Sequence, residues 1–160
     1  MMERVNHILH NPLYRAHLQR TERREKGRKF CRHGLQHALD VARVAYIMVL
    51  EQQLGIDKEV VYAAAMLHDI GKWVQLEHGV PHHVSSAEMA GELLEPAGFS
   101  REESDVIAKA ILSHRTRGLP DGTLDAVLYA ADKRSRSCFD CKMIDRCDWT
   151  DDKKNPDIVY

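Results

Sequence analysis

Aromatic residues are scarce in this 160-residue chain, where Phe, Trp and Tyr together make up 6% of the sequence. No apolar run approaches the roughly 18 residues that a membrane-spanning helix requires, and no signal-peptide core follows the first methionines. No stretch of useful length alternates apolar and polar residues as a half-buried strand does. These absences argue against membrane, secreted and β-sheet proteins, and they predict a cytoplasmic, all-α protein.

An excess of charge of either sign is also missing. Lys and Arg number 23 and Asp and Glu 24, for a formal net charge of -1. This balance gives no whole-chain reason to expect nucleic acid or an acidic membrane as a partner. Because hydrophobic residues reach 44%, the chain can form a core, and its length predicts one domain over residues 1–160. We expect the core of this domain at about 30–136 and a Cys-rich tail at 137–160.

Apolar residues recur at steps of three and four, the spacing of amphipathic helices. Start signals accompany them: Asn11 before Pro12, Asp57 as an N-cap, and Ser100 with Glu103 as a capping box. The sequence predicts a short helix near Val5, another from Pro12, and longer ones over 33–53, 57–70, 85–94, 100–114 and 124–136. Ser85 or Ser86 is the predicted N-cap of the helix over 85–94. Helices joined by short turns imply a helical bundle.

Ten histidines are present, and several lie in apolar segments. His37 lies on an apolar helix, His68 and Asp69 end a second one, and Asp132 follows a third. Each residue alone is typical of an ordinary core histidine or a helix-end carboxylate. Together they point to a metal site, because imidazole or charge in apolar surroundings is costly unless paired or metal-bound. Imidazole with carboxylate suits Zn, Mn or Fe(II), and few protein ligands leave positions for water and substrate.

Three segments, 37–42, 67–72 and 129–132, resemble the H…HD…D signature of the HD superfamily, and Leu-His-Asp-Ile-Gly-Lys is its most specific part. The resemblance covers about residues 30–136. It implies an all-α HD-domain bundle that acts as a metal-dependent phosphohydrolase on a small phosphate ester or anhydride, above all a nucleotide. It also implies that His37, His68, Asp69 and Asp132 bind the metal, with Asp69 central to catalysis. Lys72, three residues after Asp69 and therefore expected on nearly the same helical face, would neutralise a substrate phosphate.

The segment 82–87 is similar to a helix start in the multi-histidine HD subgroups, which include bacterial diadenosine tetraphosphate hydrolases and cyclic-dinucleotide phosphodiesterases. This resemblance implies that His83 and His114 serve a second metal or contact phosphate, with Asp69 bridging two ions. Whether one or two ions of Fe, Mn, Zn or Ni bind stays open, as does the choice between His82 and His83.

Arg115, Arg117 and Arg136 flank His114 and Asp132, and guanidinium groups there suit bidentate contacts to phosphate. Two other functions compete with phosphate hydrolysis. Six candidate ligands also suit an HD-type di-iron oxygenase. The basic run at 20–28 and the Cys-rich tail suit a non-catalytic nucleotide-sensing module.

The four cysteines are Cys31, Cys138, Cys141 and Cys147. Cys31 precedes His37 by six residues, and Cys138 follows Asp132 by six. If these two ligands meet on antiparallel helices, both cysteines continue towards the same pole. We expect an iron–sulfur cluster or zinc site that attaches the tail to the bundle, with reduced thiols as the alternative.

Overall fold

The computed structural model describes all 160 residues, and its regular structure is entirely helical. Eight α-helices follow one another: α1 (Glu3–His10), α2 (Pro12–Arg24), α3 (Leu35–Glu51), α4 (Lys58–Leu67), α5 (Lys72–His78), α6 (His82–Leu94), α7 (Arg101–Ser113) and α8 (Leu124–Arg134). Three short 3-10 turns, Cys138–Asp140, Ile144–Arg146 and Asp151–Lys153, form the tail. The all-α prediction is confirmed. None of the helices combines the length and the apolar character needed to cross a membrane.

The predicted helix starts at residues 12, 58 and 101 are confirmed by their caps. The Asn11 side chain accepts from the Leu13 amide at 2.8 Å, and Asp57 accepts from the amides of Glu59 and Val60. Ser100 Oγ accepts from the Glu103 amide at 3.2 Å, and the Glu103 carboxylate accepts from the Ser100 amide at 2.8 Å. Each cap satisfies amides that the first helical turn leaves without intrahelical partners.

The predicted start of α6 at Ser85 or Ser86 is wrong, because the helix begins at His82 after Pro81. Both serines are buried within the helix and contact Gly71 instead. Ser86 Oγ accepts from the Gly71 amide at 2.9 Å, and Ser85 Oγ donates to the Gly71 carbonyl at 3.3 Å. The two hydroxyls therefore bond the backbone of Gly71, which is distant in sequence, and do not cap the helix as predicted.

The turn between α4 and α5 also differs from prediction. Helix α4 ends at Leu67, and Gly71 precedes a new helix that begins with Lys72, so Lys72 does not share a helix with Asp69. A Cβ on Gly71 would lie 2.6 Å from Ser85 Oγ and from the Ser86 backbone nitrogen. Only glycine lets this turn approach α6 so closely, and the approach places residues 68–69 opposite the start of α6.

The core lies where α3, α4, α7 and α8 pack together, and α6 covers α7. Its fully buried side chains include Leu67, Leu93, Ile111 and Leu128. Such residues dominate the stabilisation of a small domain, at about 1.5–3 kcal/mol for each large apolar side chain. The tail is different, since Cys138 is the sole buried residue after position 136.

Helix α1 is attached to the bundle by what we term the Arg4 cluster, formed by Arg4, Asp57, Glu59 and Glu103. The Arg4 guanidinium donates to Glu59 at 2.8 Å, to Glu103 at 2.8 and 2.9 Å, and to Asp57 at 3.0 Å. It also lies 4.2 Å from the centre of the Phe99 ring. Each of its three nitrogens therefore has a carboxylate partner.

Candidate metal centre

Five helix ends meet at one point in the bundle and carry the imidazoles and carboxylates that define the site. The first turn of α3, the turn after α4, the start of α6, the residue after α7 and the last turn of α8 contribute one or two side chains each. These side chains are almost wholly withdrawn from solvent: His37, His68, Asp69, His82, His114 and Asp132.

Four of these side chains form a first group whose facing atoms all lie within 4.8 Å of one another: His37, His68, Asp69 and Asp132. His68 Nε2 lies 3.0 Å from Asp69 Oδ2, and His37 Nε2 lies 3.1 Å from Asp132 Oδ1. The crossed distances are 3.8 Å from His37 to Asp69 and 3.7 Å from His68 to Asp132. Bonds of about 2.0–2.2 Å to one cation would place neighbouring donor atoms at about these separations.

Asp69 also belongs to a second group, with His82 and His114. Its Oδ1 lies 3.1 Å from His82 Nε2 and 3.9 Å from His114 Nε2, while its Oδ2 faces the first group. One carboxylate thus presents an oxygen to each group, the arrangement that a ligand bridging two ions requires.

The second group contains His82 where the multi-histidine resemblance implied His83. His83 is partly exposed, and its ring centre lies 6.3 Å from that of His114. His82 is the first residue of α6, next to the turn that carries Asp69, and the following residue is rotated away by about 100°. The sequence left the choice of ligand open, and the start of the helix places His82, not His83, beside Asp69.

Hydrogen bonds on the far side of three rings set the proton positions. Nδ1 of His68 donates to the Ala65 carbonyl at 2.7 Å, and Nδ1 of His114 donates to the Ile111 carbonyl at 2.6 Å. Nδ1 of His82 lies 2.5 Å from Gln75 Oε1, which accepts from it. All three Nε2 atoms therefore point into the site, as in metal-binding histidines whose other nitrogen is held by a carbonyl.

Two features of this arrangement call for a positive charge. The Nε2 atoms of His82 and His114 face each other at 3.1 Å, although the Nδ1 atom of each ring already donates elsewhere. These two lone-pair nitrogens also face Asp69 Oδ1, which is buried without a hydrogen-bond partner. Buried polar atoms in folded proteins almost always have one. The residues present therefore fit a divalent cation.

Burial and neighbouring charges set the ionisation of the site. Burial lowers the pKa of His37 and of His114 to about 4 and that of His82 to about 2, so these imidazoles are neutral at physiological pH. Burial alone would lower the pKa of His68 too, but the Asp69 and Asp132 carboxylates raise it to about 10.

Both carboxylates are ionised as well. Burial alone would raise the pKa of Asp69 and Asp132, yet His68 beside Asp69 and His37 beside Asp132 hold it well below its usual range. His37, His82 and His114 are thus neutral beside two ionised carboxylates, which are the protonation states that metal ligands adopt. A single proton on His68 partly offsets their charge.

A cavity of about 240 Å³ opens beside both groups and is strongly basic. Three carboxylates line it against seven cationic side chains: Arg28, Lys72, Arg115, Arg117, Lys133, Arg136 and Lys153. Lys72 Nζ lies 3.3 Å from His82 Nδ1, and burial lowers the pKa of this lysine. The cavity therefore suits an anion, and it is lined by three of the predicted phosphate contacts, Lys72, Arg115 and Arg117. Arg117 also donates to Asp152 at 3.1 Å.

Arg136 lines the cavity but is already engaged. Its guanidinium donates to His37 Nε2 at 2.9 Å and to the Arg32 carbonyl at 2.8 Å. His37 can give its Nε2 lone pair to a cation only when Arg136 releases it. The residue thus links the first group to the segment around Arg32.

Sequence reasoning missed two residues that contact the site, and one more residue lines the cavity. Lys133 Nζ donates to Asp132 Oδ2 at 2.7 Å and to the His114 carbonyl at 3.1 Å, and its position directly after Asp132 was the available signal. Gln75 had no signal, since its role comes from the packing of α5 on α6. His33 also lines the cavity, and its Nδ1 lies 2.5 Å from Glu25.

The model of the HD domain family matches residues 34–148. The chain belongs to the HD domain family. A solved structure described as a predicted HD superfamily hydrolase, from an uncultured Thermotogales bacterium, matches with a TM-score of 0.63 and 26% identity over 88% of this chain and 80% of that one. The HD domain here therefore has the fold of an HD-superfamily hydrolase, with two His/Asp groups that suit divalent metal.

Sequence relatives fall into two kinds. An uncharacterized protein of Clostridium beijerinckii is 46% identical over 159 residues, which is 99% of this chain and 100% of that protein. Ribonuclease Y of Thermoanaerobacter pseudethanolicus is 38% identical over 97 residues, and that of Desulfotalea psychrophila is 39% identical over 101. These matches cover 61% and 63% of this chain but 17% and 18% of the ribonucleases, so this chain spans less than a fifth of the length of either ribonuclease.

Proposed function

We propose that this HD protein is a metal-dependent phosphohydrolase that acts on a small phosphate ester or anhydride, above all a nucleotide. The position of Asp69 carries the proposal, since its carboxylate lies between two groups of metal-binding character at the base of a basic cavity. Two adjacent metal sites beside a basic cavity suit the hydrolysis of a phosphate ester or anhydride, because both the metals and the basic side chains stabilise phosphoryl oxygens. The narrower similarity to diadenosine tetraphosphate hydrolases stays a prediction, as do the number and the identity of the metals.

A divalent metal bound there would lower the pKa of a water molecule and offset charge on the phosphoryl oxygens. His37, His68, Asp69 and Asp132 would hold one ion, and Asp69, His82 and His114 a second. The low pKa of Asp69 suits a ligand and positioning residue better than a proton acceptor.

The basic side chains of the cavity would bind and orient the phosphate. Lys72 lies beside His82, within reach of oxygens held at the second group, and Arg115 lies on the same wall. Lys133 holds Asp132 in place and also lines the cavity. These cations would stabilise the negative charge that grows in the transition state.

The size of the cavity favours a small substrate. Its volume of about 240 Å³ is at or below the low end for small-molecule sites. Three aromatic side chains also line it, those of Phe30, Tyr129 and Trp149, and they offer flat surfaces on which a nucleobase could stack. A mononucleotide or short anhydride fits this description better than a polymer.

RNA cleavage is a second candidate, favoured by the similarity to ribonuclease Y over 97 residues. The tail argues against it, because the cavity of about 240 Å³ is partly enclosed by residues of the tail. These residues are Cys147, Asp148, Trp149 and Lys153. A short oligoribonucleotide is therefore included in the test below.

The test measures phosphate release from a panel of nucleotides, generic phosphate esters and an oligoribonucleotide with Mn, Fe, Ni or Zn. We expect turnover of a small nucleotide that a chelator abolishes and metal restores. Asp69→Ala should lose both metal and turnover with its helical content unchanged. The matched control is Asp105→Ala, on the exposed face of α7, which should match the wild type.

Three results would contradict the proposal. Turnover by Asp69→Ala at the wild-type rate would remove Asp69 from the mechanism. Oxygen uptake without phosphate release would favour the di-iron oxygenase. Tight nucleotide binding by a metal-loaded chain without turnover would favour the sensing module.

A further inference from the structure

The four cysteines lie at one end of the bundle, beside the candidate metal centre but outside it. Arg136 donates to the Arg32 carbonyl at 2.8 Å, which joins the segment after Cys31 to the end of α8. Cys138 follows directly, with its amide bonded to the Arg136 carbonyl at 3.0 Å, and Cys31 and Cys147 line the same cavity. All four thiols are free of disulfides.

Proximity is also evident in the ionisation of Cys31. Burial raises the pKa of its thiol, Arg136 lowers it, and the other three cysteines raise it because their thiolates would lie near its own. Two 3-10 turns, Cys138–Asp140 and Ile144–Arg146, separate the three tail cysteines. The Cys141 amide bonds the Cys138 carbonyl at 3.1 Å across the first turn, and Cys147, after the second turn, lines the same cavity as Cys31.

The tail has a definite path but almost no core to hold it. Cys138 is its one buried residue, and Asn155 provides a further attachment by donating to the carbonyls of Lys133 and Arg136, both at 2.7 Å. Segments that cannot bury a core are commonly held by disulfides or metals. The four thiols are the groups placed to do so.

We propose that Cys31, Cys138, Cys141 and Cys147 bind a 4Fe–4S cluster that fastens the tail across the mouth of the cavity. Cysteine thiolates are the usual ligands of such clusters. Arg136 and Arg28, whose Nε donates to the Cys31 carbonyl at 2.8 Å, supply positive charge beside the anionic cluster. The cluster is separate from the metals of the HD site and does not depend on the proposed activity.

The spacing of the sulfurs favours a cluster over a single zinc ion. Zinc holds thiolates at about 2.3 Å, which brings the sulfurs within about 4 Å of each other. No three of these sulfurs lie within 4.8 Å of one another, whereas the His/Asp groups do satisfy that limit. A cubane cluster holds its thiolates farther apart than one zinc ion does.

The test is purification of the full chain without oxygen, followed by iron, zinc and acid-labile sulfide analysis and by EPR of the reduced protein. We expect about four sulfides per chain with matching iron, and a reduced-cluster signal. Sulfide is the decisive readout, because the HD metals require none. Samples reconstituted with ferrous iron and sulfide under reducing conditions are analysed in parallel.

Two variants separate this site from the HD centre. Cys141→Ser should lose sulfide and become more sensitive to trypsin in the tail, while Asp132→Asn should keep the full sulfide content despite losing metal at the HD site. About one zinc without sulfide, lost in Cys141→Ser, would replace the cluster with a zinc site. Absence of both sulfide and cysteine-bound zinc from the reconstituted wild type would overturn the proposal, even if the variant fails to fold.

Discussion

The Arg4 cluster and the candidate metal centre around Asp69, here termed the Asp69 centre, are both assemblies of charged groups within the bundle. They differ in whether their polar atoms have hydrogen-bond partners. In the Arg4 cluster every guanidinium nitrogen has a carboxylate within 3.0 Å. In the Asp69 centre a buried carboxylate oxygen of Asp69 lacks a hydrogen-bond partner, and two imidazole nitrogens face each other at 3.1 Å. The first cluster is complete without a ligand, and the second is not.

This difference separates a structural role from a functional one. A satisfied ion-pair network holds helices together and requires no further group, whereas unsatisfied buried donors and acceptors cost stability and persist where function uses them. Substitutions in the Arg4 cluster should therefore change folding alone. Substitutions in the Asp69 centre should change metal binding and turnover.

The contrast between the two clusters predicts its largest effect at Lys72. Lys72→Met should reduce turnover about 100-fold without loss of metal, because it removes a cation from the phosphate site but no ligand. Steady-state kinetics and metal analysis test this. Lys26→Met, at an exposed lysine, is the control and should change neither. Unaltered turnover in Lys72→Met would exclude a phosphate contact.

Metal affinity should rise with pH, by about tenfold per unit between pH 6 and 8.5. The pKa of His68 is about 10, so its Nε2 carries a proton in this range and must release it to bind a cation. The other imidazoles are already neutral and both carboxylates ionised.

Calorimetry in two buffers of different ionisation enthalpy measures the protons released, and we expect about one per chain. A pH-independent affinity with no proton release would show that His68 is neutral before metal binds.

Gly71→Ala should cost about 1–3 kcal/mol of stability and reduce turnover several-fold, because its Cβ would push α6 and His82 away from Asp69. Chemical denaturation and kinetics test both parts. Gly91→Ala, on the same α6, is the matched control, since its Cβ meets nothing within 4 Å. It should stabilise the helix by about 0.5–1 kcal/mol and leave turnover unchanged.

The smallest effect on the site belongs to Arg4. Arg4→Met should lower the free energy of unfolding by about 1–3 kcal/mol, because it leaves Glu59 and Glu103 without their cation. Turnover of the folded protein and the rise in Tm on adding metal should match the wild type. Arg15→Met, at an exposed position of α2, controls for loss of charge. A loss of turnover in Arg4→Met would contradict the separation of the two clusters.

Local sequence was sufficient for most helix starts, because a cap needs only groups within three residues, as at Asp57 and Ser100. It was misleading at Ser85 and Ser86, whose hydroxyls bond Gly71, 14 and 15 residues away in the chain. Likewise, the period of the apolar residues indicated helices but not the break after Leu67, which depends on how the turn packs against α6.

The sequence by itself determined the all-α class, the HD signature and the four residues of the first group, since these depend on residue type and spacing along the chain. Tertiary structure alone decided that His82 rather than His83 faces Asp69, and that Arg136 donates to His37. It also decided that Gln75 accepts from His82 and that Lys133 donates to Asp132. The physical reason is directional: a helix places its side chains 100° apart, so the choice between neighbours depends on where the helix begins and what packs against it.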